Sequence, residues 1–376
     1  MRIAPSPWEG MTLLQRALLK ALVTAPEAGA PPLAGSRILA VQIAGMGDFT
    51  LAVPAIRALR RAIPSGTLDL LTSEKAKGAA LGCPHIDAIE TLDARHIPVA
   101  GVHPSAGMGE VISLIRKIRR RRYGLAVNLM GLYSPRGAVR MGWLLRSPGI
   151  PRLAGLNTLG AGAFYHYSID EDLAAPLNER DAHLVLVRRL GADGGGGDSL
   201  ETWPSEEEER FAESIARKMP GQGPLIAVNP GTDRPEKDWP EERFLEVMRA
   251  LRERRSARFL LTGGPAEAAL AARLAEGLGP HALDTVGKIG YQGTASLMRR
   301  CDLVLTTDTA ALHLAWAAGV RGVALFRKEN LGRYRPATDR ITCLTGPEAE
   351  GSALDIPADE VIRACLDRLD QTGCSS

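Results

Sequence analysis

The chain has 376 residues, enough for two domains with separate cores, and its 45% hydrophobic and 24% charged content describes a soluble globular protein. A formal net charge of +3 is too small to imply nucleic acid by itself. Five cysteines, at 83, 301, 343, 365 and 374, form no CxxC pair and have no histidine at a zinc spacing, so neither a disulfide framework nor a structural metal is indicated and a reducing cytoplasm is expected.

No apolar run approaches the roughly 20 residues that span a bilayer, and Met1 to Gly10 lack the basic and apolar regions of a secretory signal. Residues 11–23 place Leu13, Leu14, Ala17, Leu18, Ala21 and Leu22 on one face, predicting an amphipathic helix that docks on the protein or on a membrane surface. Residues 24–36, rich in Pro, Ala and Gly, read as a linker.

The first strong unit follows: Ile38–Ile43 reads as a buried strand, Ala44 to Asp48 as a glycine turn, and Thr50–Ala62 as a helix with Pro54 near its start. Asp48 then sits at the strand's C-terminal edge, where open α/β sheets bind ligands; by position it is a helix N-cap or a reactive carboxylate. The spacing is not that of GxGxxG, so no dinucleotide fingerprint is present. Thr67–Thr72 and Ala88–Leu92 predict further strands, Glu110–Arg122 a helix, and Leu125–Met130 a fourth strand before another helix. The cations at 116–122 suit a solvated helix C-terminus, or else an anionic partner such as phospholipid head groups or a phosphorylated acceptor. No base-stacking aromatics accompany them, which argues against nucleic acid. Arg136 and Arg140 follow the fourth strand on the side of Asp48, a place for acceptor contacts.

Glycines 194–197 read as a flexible joint between domains. Beyond them strand, glycine turn and helix recur at 225–250, 258–278 and 303–319, with strands also expected at 283–286 and 322–326. Strands alternating with helices predict parallel sheets in both halves, two domains facing each other across a cleft. The loop Asn229 to Pro240 offers a glycine, a hydroxyl and two cations, Arg234 and Lys237, to a diphosphate whose charge grows as it leaves a sugar. Glu267 follows a strand where ribose hydroxyls could donate to it, and Gly287 to Gly290 could pass along a base with Ile289 stacking on the ring. In CDLVLTTDTAALHLAWAAGV, residues 301–320, Asp308 and Thr309 stand at a helix N-terminus that either is merely capped or holds an anion such as a diphosphate. His313 lies one helical turn later. No Ser-His-Asp order, HExxH or P-loop occurs.

Taken in order, ILAVQIAGMGDFTLAVPAIRALRRAIP (38–64), LIAVNPGTDRPEKDWPEERF (225–244), FLLTGGPAE (259–267) and VGKIGYQGTASLMRRCDLVLTTDTAALHLAWAAG (286–319) resemble glycosyltransferase family 9, the bacterial heptosyltransferases of lipopolysaccharide core assembly. A weaker match, RLAGLNTLGAGAFYHYSIDE and NERDAHLVLVRRLGAD, fills the region between. The resemblance implies a GT-B architecture of two Rossmann-like domains, inversion at the anomeric centre and no bound metal or other cofactor. It further implies that Asp48 is the base, that Thr232 and Lys237 hold the diphosphate, that Glu267 receives the ribose hydroxyls and that Ile289 borders adenine. Asp308 would face the donor sugar, and backbone at Thr309 and Ala310 would meet phosphate, with His313 on the same donor side. Three segments depart from the family pattern: Ala310 stands where glycine is usual, Arg327-Lys328-Glu329-Asn330 where Gly-Pro-Thr generally follows the strand, and Asn128-Leu129-Met130-Gly131 where Asp-x-Gln-Gly is common.

The expected organisation is an N-terminal helix and linker (1–36), an acceptor domain (37–198), a nucleotide-sugar domain (199–350) and a C-terminal helix and tail (351–376). The expected activity is transfer of a heptose or related sugar from a nucleotide diphosphate, ADP by resemblance, to an anionic glycolipid or cell-envelope glycan at the cytoplasmic face of the inner membrane. The rival readings are a catalytically silent nucleotide-sugar-binding protein and a nucleotide-sugar epimerase of similar build.

Overall fold

The computed structural model describes residues 30, 31, 33–96, 107–158, 162–171, 176–193, 195, 197–231, 238–346 and 355–371. The amphipathic helix expected at 11–23, and Thr232, Arg234 and Lys237, lie outside them. Two compact units divide the chain, Met1–Ser199 and Leu200–Ser376.

In the first unit six parallel strands, β1 (Arg37–Gln42), β2 (Thr67–Thr72), β3 (Ala88–Thr91), β4 (Leu125–Asn128), β5 (Arg152–Thr158) and β6 (Tyr167–Glu171), lie in the order β3-β2-β1-β4-β5-β6. Helices α1 (Met46–Ala62), α2 (Glu74–Ala80), α3 (Met108–Arg121), α4 (Pro135–Arg146) and α5 (Glu179–Arg189) make the crossovers and flank the sheet. Ile38 to Val41 are buried throughout, the continuous apolar run that a strand covered on both faces requires. β5 and β6 were not expected as strands. Gly155 interrupts the apolar pattern of β5 because the Tyr165 ring fills the space a side chain would take, 2.3 Å from where its Cβ would lie. β6, Tyr-Ser-Ile-Asp-Glu, is a half-exposed edge strand.

α1 begins four residues earlier than the sequence suggests, so Gly47 and Asp48 belong to its first turn and Pro54 to its interior. The Asp48 carboxylate accepts the Gly45 N–H at 2.9 Å, which closes that turn from the third helical position. Pro54 has no N–H to give the Thr50 carbonyl, a local cost within an otherwise buried helix. The end of the glycine run is also tied down. Arg57 donates to the Gly197 and Ser199 carbonyls at 2.7 and 3.1 Å, and Arg180 pairs with Asp198 at 3.1 Å, so these residues belong to the first unit rather than to a free joint.

The second unit repeats the plan. β7 (Leu225–Asn229), β8 (Arg258–Leu261), β9 (Ala282–Asp284), β10 (Leu303–Thr307), β11 (Gly322–Phe326) and β12 (Ile341–Thr345) lie in the order β12-β11-β10-β7-β8-β9. The helices are α6 (Glu206–Lys218), α7 (Glu241–Arg255), α8 (Ala268–Leu278), α9 (Tyr291–Met298), α10 (Ala310–Ala317), α11 (Lys328–Tyr334) and α12 (Ala358–Asp370). One face of the sheet packs Ile226, Phe259 and Leu305 against Phe244, Met248 and the C-terminal helix residues Val361 and Cys365. The other packs Ala227, Leu260 and Val304 against α6, α9 and α10. Both units are therefore doubly wound parallel α/β sheets, as the alternation of strands and helices predicted.

α5 lies along α1, and His183 is buried there with Nδ1 3.4 Å from the Leu51 carbonyl and Nε2 3.5 Å from the Glu179 carboxylate. Burial alone would push the imidazole pKa down, but Glu179 and the Leu51 and Leu129 carbonyls outweigh it and raise it. Folding then favours the imidazolium, a contribution complete below the ordinary histidine value and lost as pH rises through the native one. His183→Gln is expected to cost about 3 kcal/mol near pH 5.5 and clearly less near pH 8.5 in urea denaturation; equal losses at both would contradict the imidazolium.

Candidate functional site

Parallel strands deliver all their C-termini to one edge of a sheet, and ligands settle where the strand order reverses. In the first unit the reversal lies between β1 and β4. Asp48, half-buried, follows β1 at this point, and a Cβ on Gly45 would stand 3.0 Å from its Oδ2, so the glycine is what lets the carboxylate lie over the turn. The buried Gln42 amide donates to the Asp48 carbonyl at 3.4 Å and to the Leu129 carbonyl at 3.5 Å, joining the turn after β1 to the loop after β4. In that loop Asn128 donates to Met130 O and to the Tyr165 hydroxyl, and the exposed Tyr133 ring folds over Gly131. Ser134 then caps α4 by accepting the Gly137 N–H at 3.1 Å. Arg136, exposed in the first turn of α4, and Arg140, half-buried one turn later, rise from the same sheet edge as Asp48.

Sequence reasoning missed two residues of this edge. The Leu132 N–H donates to the Thr158 hydroxyl at 3.3 Å, which donates in turn to Glu171 Oε2 at 2.7 Å. Burial pushes the Glu171 carboxyl above the usual range, with the Thr158 bond pulling the other way. The weaker family match over 152–171 contains both without singling either out, because only the adjacency of β4, β5 and β6 makes them neighbours.

The basic cluster stands elsewhere. α3 runs back to the start of β4, which puts residues 116–122 at the sheet edge opposite Asp48. Lys117 pairs with Glu90 at 2.7 Å, Arg121 with Asp69 at 2.5 Å, and Arg119 donates to the Ser147 and Pro148 carbonyls. Arg116, Arg120 and Arg122 remain exposed.

In the second unit the reversal lies between β10 and β7. Asn229 ends β7; its Nδ2 donates to the Thr262 carbonyl after β8 at 2.9 Å, and its Oδ1 accepts the Thr309 hydroxyl after β10 at 3.2 Å. Thr309 occupies the N-cap position of α10 but makes no side-chain cap. Its hydroxyl is donated to Asn229, the Thr309 N–H bonds the Thr307 carbonyl at 2.8 Å and the Leu312 N–H the Thr309 carbonyl at 3.1 Å, so the N–H groups that point out of the helix start are those of Ala310 and Ala311. The Ala310 carbonyl accepts the Tyr291 hydroxyl at 3.3 Å, which anchors that turn. Asp308 is buried beside it and accepts the Asn330 amide at 2.7 Å.

Glu267 reaches back across the glycines of two loops. A Cβ on Gly231 would lie 2.1 Å from Glu267 Cγ, and one on Gly263 would lie 3.2 Å from its Oε2 and 3.4 Å from Asn229 Nδ2. Gly287, at φ +69°, donates its N–H to the Gly263 carbonyl at 3.2 Å and brings the 287–290 turn beside this carboxylate. Ile289 is half-buried, packed on the core of α6, α9 and α10 and against Gly293. His313 is buried on α10 with its ring 6.2 Å from that of Tyr334. The structure thus bonds Thr309 to Asn229, with Asp308 and Ala310 adjoining, and sets the Glu267 side chain against the glycines of the neighbouring loops with the Ile289 turn alongside. Asn229 and Asn330 are the members that sequence reasoning did not assign. Among the described residues no cluster of His, Cys, Asp and Glu has the makings of a metal site, and no helix is long and apolar enough to cross a membrane.

A family model described as glycosyltransferase family 9 (heptosyltransferase) matches residues 111–359. The chain belongs to that family. This glycosyltransferase is 26% identical over 307 residues to lipopolysaccharide heptosyltransferase 1 of Pseudomonas aeruginosa, a match covering 79% of this chain and 80% of that one. Its fold resembles that of a family 9 glycosyl transferase from Veillonella parvula, with TM-score 0.75 and 22% identity over 91% of this chain and 99% of the other. It also resembles E. coli heptosyltransferase WaaC solved with ADP-2-deoxy-2-fluoro heptose, with TM-score 0.64 and 20% identity over 88% and 99% of the two chains. The two doubly wound sheets are the Rossmann-like domains of a GT-B glycosyltransferase.

Asn229→Ala removes the tie between three loops and leaves a buried carbonyl without its donor, so a loss of about 2 kcal/mol is expected in urea denaturation. A loss within about 0.5 kcal/mol, the scale of an ordinary surface change, would contradict the role given to this amide.

Proposed function

We propose that this glycosyltransferase moves a heptose from ADP-heptose, with inversion and without a bound metal, to a lipopolysaccharide-core or other anionic cell-envelope glycan. One observation carries the reading. The reversal point of the first sheet presents the Asp48 carboxylate, and that of the second presents a helix N-terminus whose cap hydroxyl is turned away to Asn229. A single displacement needs those two things, a base for the acceptor hydroxyl and a cradle for the departing diphosphate. ADP-heptose is favoured because the similar E. coli enzyme was solved with an ADP-linked fluoro-heptose.

In this mechanism Asp48 takes the acceptor hydroxyl proton as the new C–O bond forms at the anomeric carbon. The anomeric carbon–phosphate oxygen bond breaks on the opposite face, and both electrons leave with ADP. Its growing charge is met by the backbone at Thr309 and Ala310 and by Thr232 and Lys237, so that a lysine and a helix terminus do what a divalent ion does elsewhere. Glu267 accepts from the ribose hydroxyls, Ile289 borders adenine, Asp308 faces the sugar, and His313 supports the donor side of α10. Arg136 and Arg140 hold the anionic part of the acceptor. The work takes place at the cytoplasmic face of the inner membrane, with the exposed Arg116, Arg120 and Arg122 supplying charge for a peripheral contact.

Asp48→Ala is expected to slow ADP release in the presence of acceptor by about a hundredfold or more while ADP-heptose binding is retained. Undiminished turnover would remove Asp48 as the base. Lys237→Ala is expected to lower kcat by about tenfold or more and to weaken ADP binding, and the wild-type rate should be unchanged by EDTA. A chelator-sensitive rate, restored by a divalent ion, would refute the metal-free mechanism.

A further inference from the structure

We infer that Asn330 is the positioning residue of the donor-sugar site, fixing Asp308 in the orientation in which it meets the transferred sugar; this rests on the donor reading of Asp308 given above. Arg327-Lys328-Glu329-Asn330 occupies the place where the family resemblance leads one to expect Gly-Pro-Thr. The segment opens α11, a helix rooted in the fold. Leu331 and Tyr334 pack on Leu312, Phe326 and Ile341, and Arg333 is buried beside them. At its start Arg327 pairs with Glu329 at 2.5 Å, and the Asn330 N–H donates to the Arg327 carbonyl at 3.0 Å. Asn330 is thereby carried on a rigid element to the C-terminal edge of β10, where its Nδ2 donates to Asp308 Oδ2 at 2.7 Å.

The chemistry of the pair argues for more than packing. Asp308 is buried, and its main chain is fixed on the other side by its N–H bond to the Leu325 carbonyl. A buried carboxylate meeting a polyhydroxylated sugar must offer its acceptor oxygens in one geometry, because a free rotamer would have to be frozen at each binding event. A neutral amide does this without cancelling the charge, as an arginine would, or adding to it, as a second carboxylate would. The short distance also makes the pair sensitive to a change of one atom. Asn330→Asp sets two carboxyl groups in contact, and they cannot both ionise without strong repulsion.

Titration calorimetry of the full-length chain and its variants with ADP-heptose and with ADP separates the sugar contribution from that of the nucleotide. Asn330→Ala is expected to weaken ADP-heptose by about tenfold, the scale of a lost bond to a charged group, and to leave ADP unchanged. Asn330→Asp is expected to weaken ADP-heptose further near pH 8 and to recover affinity toward pH 5.5, when one proton shared by the pair restores an O–H···O bond; the wild type lacks this profile. The expected companion result is that Asp308→Ala also loses affinity for ADP-heptose but not for ADP. If Asp308→Ala does so and Asn330→Ala binds like the wild type, the positioning role falls while the donor reading stands. If Asp308→Ala binds ADP-heptose as the wild type does, the donor reading of Asp308 falls and the inference with it. If Asn330→Ala weakens ADP and ADP-heptose equally, the amide only supports the fold and the inference is overturned.

Discussion

One amide holds together the edge of the second sheet at which the nucleotide sugar is proposed to bind. Asn229 closes β7, donates to the loop after β8 and accepts from the loop after β10, at the place where the strand order of the second sheet turns back on itself. Parallel pairing makes such a meeting possible, since it brings the ends of strands far apart in sequence to one edge. By engaging the Thr309 hydroxyl, the same amide keeps a helix N-terminus from being capped by its own residue. On the reading proposed above, a structural bond and the readiness of an anion site are two aspects of one hydrogen bond.

The first sheet reaches a comparable arrangement by different means. Gln42 spans the reversal point, the Asp48 carboxylate rests on the Gly45 N–H, and a chain of donors from Leu132 through Thr158 ends on Glu171. Glycine leaves room where side chains approach closely: at 45 beside the Asp48 carboxylate and, more tightly, at 231 under Glu267. In both sheets the edge that carries the strand C-termini is thus polar but internally bonded, beside a largely apolar core.

Much of this plan was legible in the sequence, and the exceptions have physical causes. Central strands such as Ile38 to Val41 and Leu303 to Leu305 must be apolar throughout because helices cover both faces, and those runs stand out. The edge strands β6 and β12 are half-exposed and carry polar residues, so they left little periodic trace. Pattern reasoning placed the helix start of α1 too late because glycine and aspartate read as a turn, whereas here the aspartate closes the helix from its third position. Asp48, Glu267, Asp308 and Thr309 could be named as candidates because they follow strands whose motifs resemble the family. Asn229, Asn330, Thr158 and Glu171 were not, since their importance lies in which strands are neighbours and sequence spacing does not encode that. The cluster at 116–122 was visible as charge, yet its position at the far sheet edge followed only from where α3 ends.

The central claim is that the uncapped start of α10, beside Asn229 and the glycines facing Glu267, is the place where a nucleotide diphosphate is held. A crystal structure of the protein with ADP tests it most directly. The account predicts a diphosphate on the Thr309 and Ala310 backbone, ribose hydroxyls on Glu267 and adenine along the 287–290 turn. ADP found at another edge of either sheet, with Thr309 and Glu267 untouched, would contradict it.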